Sequence, residues 1–350
     1  MRQAINTLRA RVVSSGVSST EGGVNIVAFS GGVDSSLVAA LVHEAFPRNS
    51  LACVGVSAAL PEAQLQLARR VAGHIGRGPL SEVITGEGSN PQYIANEGQS
   101  CFHCKTHLYS ALEAVAERAG KESLRPTPEA VVNDGRTAES RDRRRVVLFN
   151  GTNKDDRSDP TRVGLKAAAE FQVASPIDNL SKNEVRAVSR ELGLPNWNHA
   201  ASPCLRSRLA FGVQATPERL VQVEKAEDVA RRYLGLNVSH NLRVRAMHGE
   251  KALLEVDDGE VLEKAVRGLP DMRGLILPLG FGELNVRAFR SGGLSGASPS
   301  AAVPAFRSRV AADGARKTVT DGVEVSHVAG SGRCGGSDGG RGEVPSPFVF

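Results

Sequence analysis

Aromatic residues are scarce, at 4% of 350 residues with one Trp and three Tyr. That composition disfavours recognition of bases or sugars on stacked aromatic platforms. No apolar run approaches the roughly 18 to 20 residues needed to span a bilayer, so no membrane segment is expected. Cysteine is sparse and odd in number, at positions 53, 101, 104, 204 and 334. Without a secretory signal this argues against a disulfide framework and for a reducing, cytoplasmic setting. Acidic residues are missing from residues 1–20, a trait shared with organelle transit peptides. However, Ile5, Leu8, Val12 and Val13 recur at helical spacing and lead into an apolar run, so a structural first helix is the preferred reading, with organelle targeting left open.

What is present is ordinary for a soluble globular protein: 41% hydrophobic and 23% charged residues. The length suits one large domain and a smaller one. A net charge of +5 suits polyanionic ligands such as ATP, phosphorylated small molecules or RNA, or else only a mildly basic surface.

The apolar, β-branched run at 24–29 predicts a buried strand, and residues 35–46 predict an apolar helix. A strand at 51–56, a helix at 62–73 and a strand at 146–150 follow. Ser181 and Glu184 are spaced as a capping box for a helix through Leu192. Strands alternating with helices predict an α/β fold with a doubly wound parallel sheet, whose ligands sit at the carboxyl ends of the strands. Residues 1–200 are read as this domain, with a polar surface insertion at 121–145 whose Arg-rich end spans 141–145. The pattern changes after 201: a helix at 218–233, strands at 242–245 and 252–256, a helix at 260–266 and a strand at 284–289 predict a small α+β domain over 201–290. The Gly- and Ser-rich stretch 291–350 is expected to be disordered, and Cys334 within it to have no specific role.

Between the first strand and helix stands Ser30-Gly31-Gly32-Val33-Asp34-Ser35-Ser36. Glycines allow the backbone to turn sharply and approach a ligand. Loop amides and the helix N-terminus then converge on an anion, with Ser30, Ser35 and Ser36 adding hydroxyls. Asp34 is a poor neighbour for phosphate, so a Mg2+ ion between them is expected. The Gly-Lys-Ser/Thr ending of a Walker loop is missing. The heptapeptide instead resembles the PP-loop of the ATP pyrophosphatases (the adenine nucleotide alpha hydrolase-like fold), which implies adenylation with pyrophosphate release.

Further stretches narrow the resemblance: CFHCK at 101–105, GTNKDD at 151–156, LGLPNWNHAASPCLRSRLAFG at 192–212, LRVRAMHGEKALLEV at 242–256 and FRSGG at 289–293. In this order, over roughly residues 1–293, the chain resembles the LarE family of ATP-dependent sulfur transferases. The resemblance implies adenylation of the carboxylates of pyridinium-3,5-biscarboxylic acid mononucleotide and their conversion to thiocarboxylates during nickel-pincer nucleotide synthesis. It also implies a homo-oligomer and upstream and downstream cofactor-biosynthesis enzymes as partners.

Within the family, sulfur comes either from a sacrificial cysteine or from a [4Fe-4S] cluster on three cysteines. Cys204 matches the sulfur-bearing cysteine, and the flanking Arg206 and Arg208 would favour its thiolate. Cys101 and Cys104 form a Cys-x-x-Cys pair. With Cys204 they give three thiolates, enough for a cluster with one open iron; zinc completed by His103 or His107, a dithiol, and a metal-free Cys204 are the alternatives.

Gly151, Thr152, Asn153 and Asp156 follow a strand and are expected to face the nucleotide, as is Ser57 at the end of the second strand. Arg208, Arg243, Arg245 and Arg290 are candidates for gripping a substrate or AMP phosphate, against the alternative of surface charge. Glu224 and Glu227 are either site carboxylates or the polar face of their helix, while Trp197 and His199 are read as structural. The rival functions are tRNA thiolation, for which no zinc-ribbon or aromatic module is visible, and a non-catalytic nucleotide-binding regulator. Nucleic acid is therefore not an expected partner.

Overall fold

Strand β1 (Val24–Ala28) shows why the main sheet is buried on both sides. Ile26 points to one apolar cluster and Val27 to another, the period-two alternation of a strand covered on both faces. Cys53 and Val54 of β2 (Ser50–Val56) repeat the pattern, as do Leu148 and Phe149 of β4 (Val146–Phe149). With β3 (Leu80–Ile84), these strands run parallel in the order β4-β1-β2-β3. The computed structural model describes residues 1–19, 23–76, 80–122, 146–159, 161–199, 202–237, 240–289 and 325–326. The insertion beyond 122, with its Arg-rich end, lies outside the described residues, and so do Arg290 and Cys334. The tail contributes Val325–Ser326 (β8), which pairs antiparallel with β3.

Helices α1 (Arg2–Ser15), α2 (Val33–Ala45) and α3 (Glu62–Ile75) cover one face. As expected, the first helix is structural: Ile5, Leu8 and Val12 are buried. Val13, expected in the same stripe, is 57% exposed, because its position turns it away from α2. Buried Asn25 ties the start of β1 to the preceding loop: its side chain accepts from Val17 N at 2.9 Å and donates to Val17 O at 2.8 Å.

The short α4 (Pro91–Ala95) leads into α5 (Ser100–Glu122), which packs on the opposite face through Tyr109, Leu112, Val115 and Ala116. Sequence reading missed both this helix and β3. Neither carries a clean periodic pattern: β3 includes Glu82, and α5 opens with cysteines and histidines. After β4 come α6 (Lys154–Ser158), α7 (Gly164–Glu170) and α8 (Lys182–Glu191). The capping box at α8 forms as its spacing predicts, with Ser181 and Glu184 exchanging hydrogen bonds.

A second sheet, ordered β5 (Leu242–Met247), β6 (Lys251–Val256), β7 (Glu283–Ala288), packs against α9 (Pro217–Leu234), α10 (Glu260–Arg267) and α11 (Leu269–Ile276). Its core contains Leu220, Val223, Val244, Leu254, Met272 and Ile276, together with Ala59 and Tyr93 from the N-terminal half. Glu255 is fully buried here and accepts from Arg245 Nε at 2.8 Å and Arg287 Nε at 2.9 Å. A buried pair broken from one side leaves an uncompensated charge. Glu255→Gln is therefore expected to lower unfolding free energy by about 3 kcal/mol, read as a lower urea midpoint at unchanged slope.

Candidate active site

The loop after β1 is shaped by two glycines. Gly31 takes φ +70°, and a Cβ there would lie 2.6 Å from the Ala68 backbone. Gly151, just past β4, approaches the start of α2 so closely that a Cβ would meet Ser35 N at 2.6 Å. The loop is then held from within and behind. Ser30 N donates to Ser35 Oγ at 3.2 Å, and Ser35 Oγ lies 3.1 Å from Gly32 O. Gln64 donates to Ser30 O at 2.6 Å, and Asn196 to Gly31 O at 2.8 Å and Ser36 Oγ at 2.9 Å. Ser36 is thereby fully buried and supports the loop instead of facing a ligand.

A cavity of about 420 Å³ opens at the carboxyl ends of the parallel strands, within the range of small-molecule sites. It lies where the strand order reverses between β1 and β4, the position at which open α/β sheets bind ligands. Ser30, Gly32, Asp34, Ser35, Ser57, Gly151, Thr152 and Asp156 line it, and so do Cys101, Cys104 and Cys204. Gly31 and Asn153 stand behind this lining. Asn153 caps α6 and donates to Asp34 Oδ1 at 3.1 Å, while Lys182, at the start of α8, donates to Asp34 Oδ2.

The thiols occupy the end nearest the second sheet. Cys101 Sγ accepts from Arg206 at 2.6 Å. Burial pushes the Cys104 thiol up to about 12, with Lys105 opposing and Glu87 adding to the shift. Of the arginines expected to activate Cys204, Arg206 hydrogen-bonds Cys101 and Asn96 Oδ1, the latter at 3.1 Å, yet stays close enough to Cys204 to interact with its charge. Arg208 is instead taken up by Glu227 at 2.9 Å and by the Pro203 and Cys204 carbonyls. The cation that lines the cavity beside the thiols is Lys105. Burial works against its charge, but Tyr109 and Cys104, Cys101 and Cys204 raise its pKa on balance. Among the described residues, no three His, Cys, Asp or Glu side chains are spaced to hold a metal ion. The donor set nonetheless suits an iron–sulfur group in kind: three unpaired thiols line one cavity, with Lys105 and Arg206 beside them to offset thiolate charge.

Of the candidate phosphate arginines, the three among the described residues, Arg208, Arg243 and Arg245, do not line the cavity. Arg208 and Arg245 are buried in ion pairs with Glu227 and Glu255. Arg243 lies 4.7 Å over the Phe289 ring, its pKa lowered to about 10 by burial with Arg208 and Arg245 adding. Glu227 also accepts from Val244 N at 3.1 Å, and Glu224 from Glu62 N at 2.6 Å, so both bind protein groups. His107 contacts Asn90 at 3.2 Å, and neither it nor His103 lines the cavity. Trp197 lies under Arg190 at 5.0 Å, and His199 O accepts from Arg186 at 2.9 Å.

Residues that sequence reading passed over include Glu87, Lys105 and Arg162, all lining the cavity, and Lys182. Lys105 sits one helical turn after Cys101, a relation visible once α5 is known to be a helix. Arg162 pairs with Asp156 at 2.7 Å.

A phosphate-type loop between β1 and α2, at the carboxyl edge of a β4-β1-β2-β3 parallel sheet, defines an ATP-using enzyme of the PP-loop ATP pyrophosphatase type. No family model matches the chain. It is 36% identical to the uncharacterized protein slr1717 of Synechocystis sp. over 63% of this chain and 72% of that one. It is 28% identical to the pyridinium-3,5-bisthiocarboxylic acid mononucleotide synthase of Lactiplantibacillus plantarum, over 67% of this chain and 75% of the relative. A glutamine-hydrolysing GMP synthase of Clostridium perfringens is 29% identical over 60% of this chain and 40% of that longer protein. These similarities place the chain in the PP-loop ATP pyrophosphatase superfamily, with a LarE-type synthase among its relatives. No helix among the described residues is long and apolar enough to cross a membrane.

Proposed function

We propose that the protein is an ATP-dependent sulfur transferase acting on the carboxylates of a small nucleotide, pyridinium-3,5-biscarboxylic acid mononucleotide. One observation carries this reading: the phosphate loop and Cys101, Cys104 and Cys204 line the same cavity. A substrate carboxylate attacks the α-phosphorus of ATP, the α–β anhydride bond breaks, and pyrophosphate leaves. The resulting acyl adenylate has AMP as a good leaving group at the thiol end. The amides of Gly32 and Ser35 and the Ser30 hydroxyl would hold the phosphates. Asp34 would hold Mg2+, in competition with Lys182 for Oδ2, and the ion would offset charge on the departing pyrophosphate. Lys105 neutralises the thiol end, where an anionic sulfur meets an anionic adenylate.

Cys101, Cys104 and Cys204 would hold a [4Fe-4S] cluster, which would supply the sulfide. The second reading takes sulfur from Cys204 itself, and the lack of metal-ligand spacing among the described residues favours it. Here the Cys204 thiolate attacks the acyl carbon and expels AMP. Breaking the Cβ–S bond, with loss of the Cα proton to a base, then releases the thiocarboxylate and leaves dehydroalanine.

Anaerobic purification, reconstitution and quantification of iron and acid-labile sulfide separate the two. The cluster reading expects about four irons and at least about four sulfides per chain, lost in Cys101→Ala. Without iron, Cys204 is expected to lose the mass of hydrogen sulfide after turnover. Failure of the mononucleotide to elicit pyrophosphate from ATP would reject the function itself.

A further inference from the structure

Glu87 lies on the short turn Gly86–Ser89 that follows β3, at the thiol end of the cavity. Its side chain lines the cavity yet is only 2% exposed, and its Oε2 has no hydrogen-bond partner. No ion pair reaches it among the described residues. The nearby Tyr93 hydroxyl is likewise buried and unpartnered. Burial raises its pKa, with Cys204, Cys104 and Glu87 adding, so the phenol stays a neutral donor.

A buried carboxyl without a partner costs several kcal/mol. Folded proteins satisfy nearly all such groups, so an orphan facing a cavity marks where a ligand supplies the missing contact. The rest of the site is built for anions: loop amides and hydroxyls at one end, Lys105 at the other. In that company an acid repels a plain dicarboxylate. It favours a ligand whose carboxylates flank a positive charge.

We propose that Glu87 is the subsite for the ring cation of the substrate, selecting a quaternised nitrogen heterocycle over a neutral ring of the same shape. This assignment rests on the function proposed above. A pyridinium brings its positive charge within the ring that bears the carboxylates, so a site that grips both kinds of charge sets the ring's orientation as well as its identity. The carboxylate to be adenylated is then directed towards the phosphate loop, and Glu87 holds the ring from the thiol side.

The test compares pyridinium-3,5-dicarboxylic acid mononucleotide with its neutral isostere, the C-glycoside of benzene-3,5-dicarboxylate. Each is titrated calorimetrically into the full-length protein with an α,β-methylene ATP analogue present. The wild type is expected to prefer the cation by about tenfold or more. Glu87→Gln loses the preference by weakening the cation alone, and Glu87→Asp keeps part of it. Affinity for the ATP analogue alone stays unchanged in both variants, which reports an intact fold and nucleotide site.

Equal binding of both compounds by the wild type would overturn the assignment. So would equal weakening of both in Glu87→Gln, the mark of a bond to ribose hydroxyls, or a loss of affinity for the ATP analogue. The function is read separately: if the cation binds selectively but releases no pyrophosphate from ATP, the sulfur-transfer reading falls while the subsite stands.

Discussion

Cys204→Ser is expected to leave ATP-dependent pyrophosphate release within about threefold of wild type while thiolated product falls below about 1%. In the proposed reaction adenylation uses the strand-end loop, and the change from sulfur to oxygen does not touch it. A serine hydroxyl is a far weaker nucleophile than a thiolate at neutral pH, and it offers neither a transferable sulfur nor a soft ligand. The split between the steps is the informative part. Parallel assays of pyrophosphate and of thiocarboxylate, by mass, check it. Equal loss of both would place Cys204 in adenylation and defeat the role assigned to it.

Gly151→Ala is expected to weaken ATP binding about a hundredfold and to depress pyrophosphate release with it. The new methyl would stand 2.6 Å from Ser35 N, 2.8 Å from Asp34 C and 3.0 Å from Asp34 Cβ. Two of these atoms are backbone and the third is the Cβ fixed to it, so no flexible side-chain end can yield, and β4 and the start of α2 must separate and the loop with them. Gly73→Ala is the control: a Cβ at this helical position meets nothing within 4 Å, and the change should be neutral or slightly stabilising. Isothermal titration with ATP, beside a thermal melt of each variant, distinguishes a damaged loop from a damaged fold. Unchanged ATP affinity in Gly151→Ala would remove this close approach from the binding site.

Both predictions concern residues that were legible in the sequence, and for the same reason. The phosphate loop is local: strand, turn and helix are contiguous, so residue order nearly specifies the geometry. Cys204 was legible through the company it keeps within its own segment. Lys105 and Glu87 were not, because each becomes part of the site only when α5 and the end of β3 meet the loop after β1. Lys182 is further still, 148 residues from the Asp34 it contacts.

The arginines show the converse. Arg208 and Arg245 stand in segments that pointed to anion binding, yet each is committed to a buried acid. A charge in sequence carries no sign of whether its partner is a ligand or another side chain. The partner is chosen by the β5–β6 pairing, which sets Arg245 beside Glu255, and by the packing of α9, which brings Glu227 to Arg208.

By itself, then, the sequence determined the parallel α/β sheet, the position of the phosphate loop at its carboxyl edge, the capping of α8 and the second α+β unit. These follow from hydrophobic period, glycine placement and helix-end chemistry, all short-range properties of the chain. Tertiary structure alone decided that Cys101, Cys104 and Cys204 share one cavity with the loop, that Asp34 is met by Lys182, and that Glu87 is buried without a partner. Contacts across a hundred residues or more depend on how packed layers register, and no local pattern of residues encodes that register.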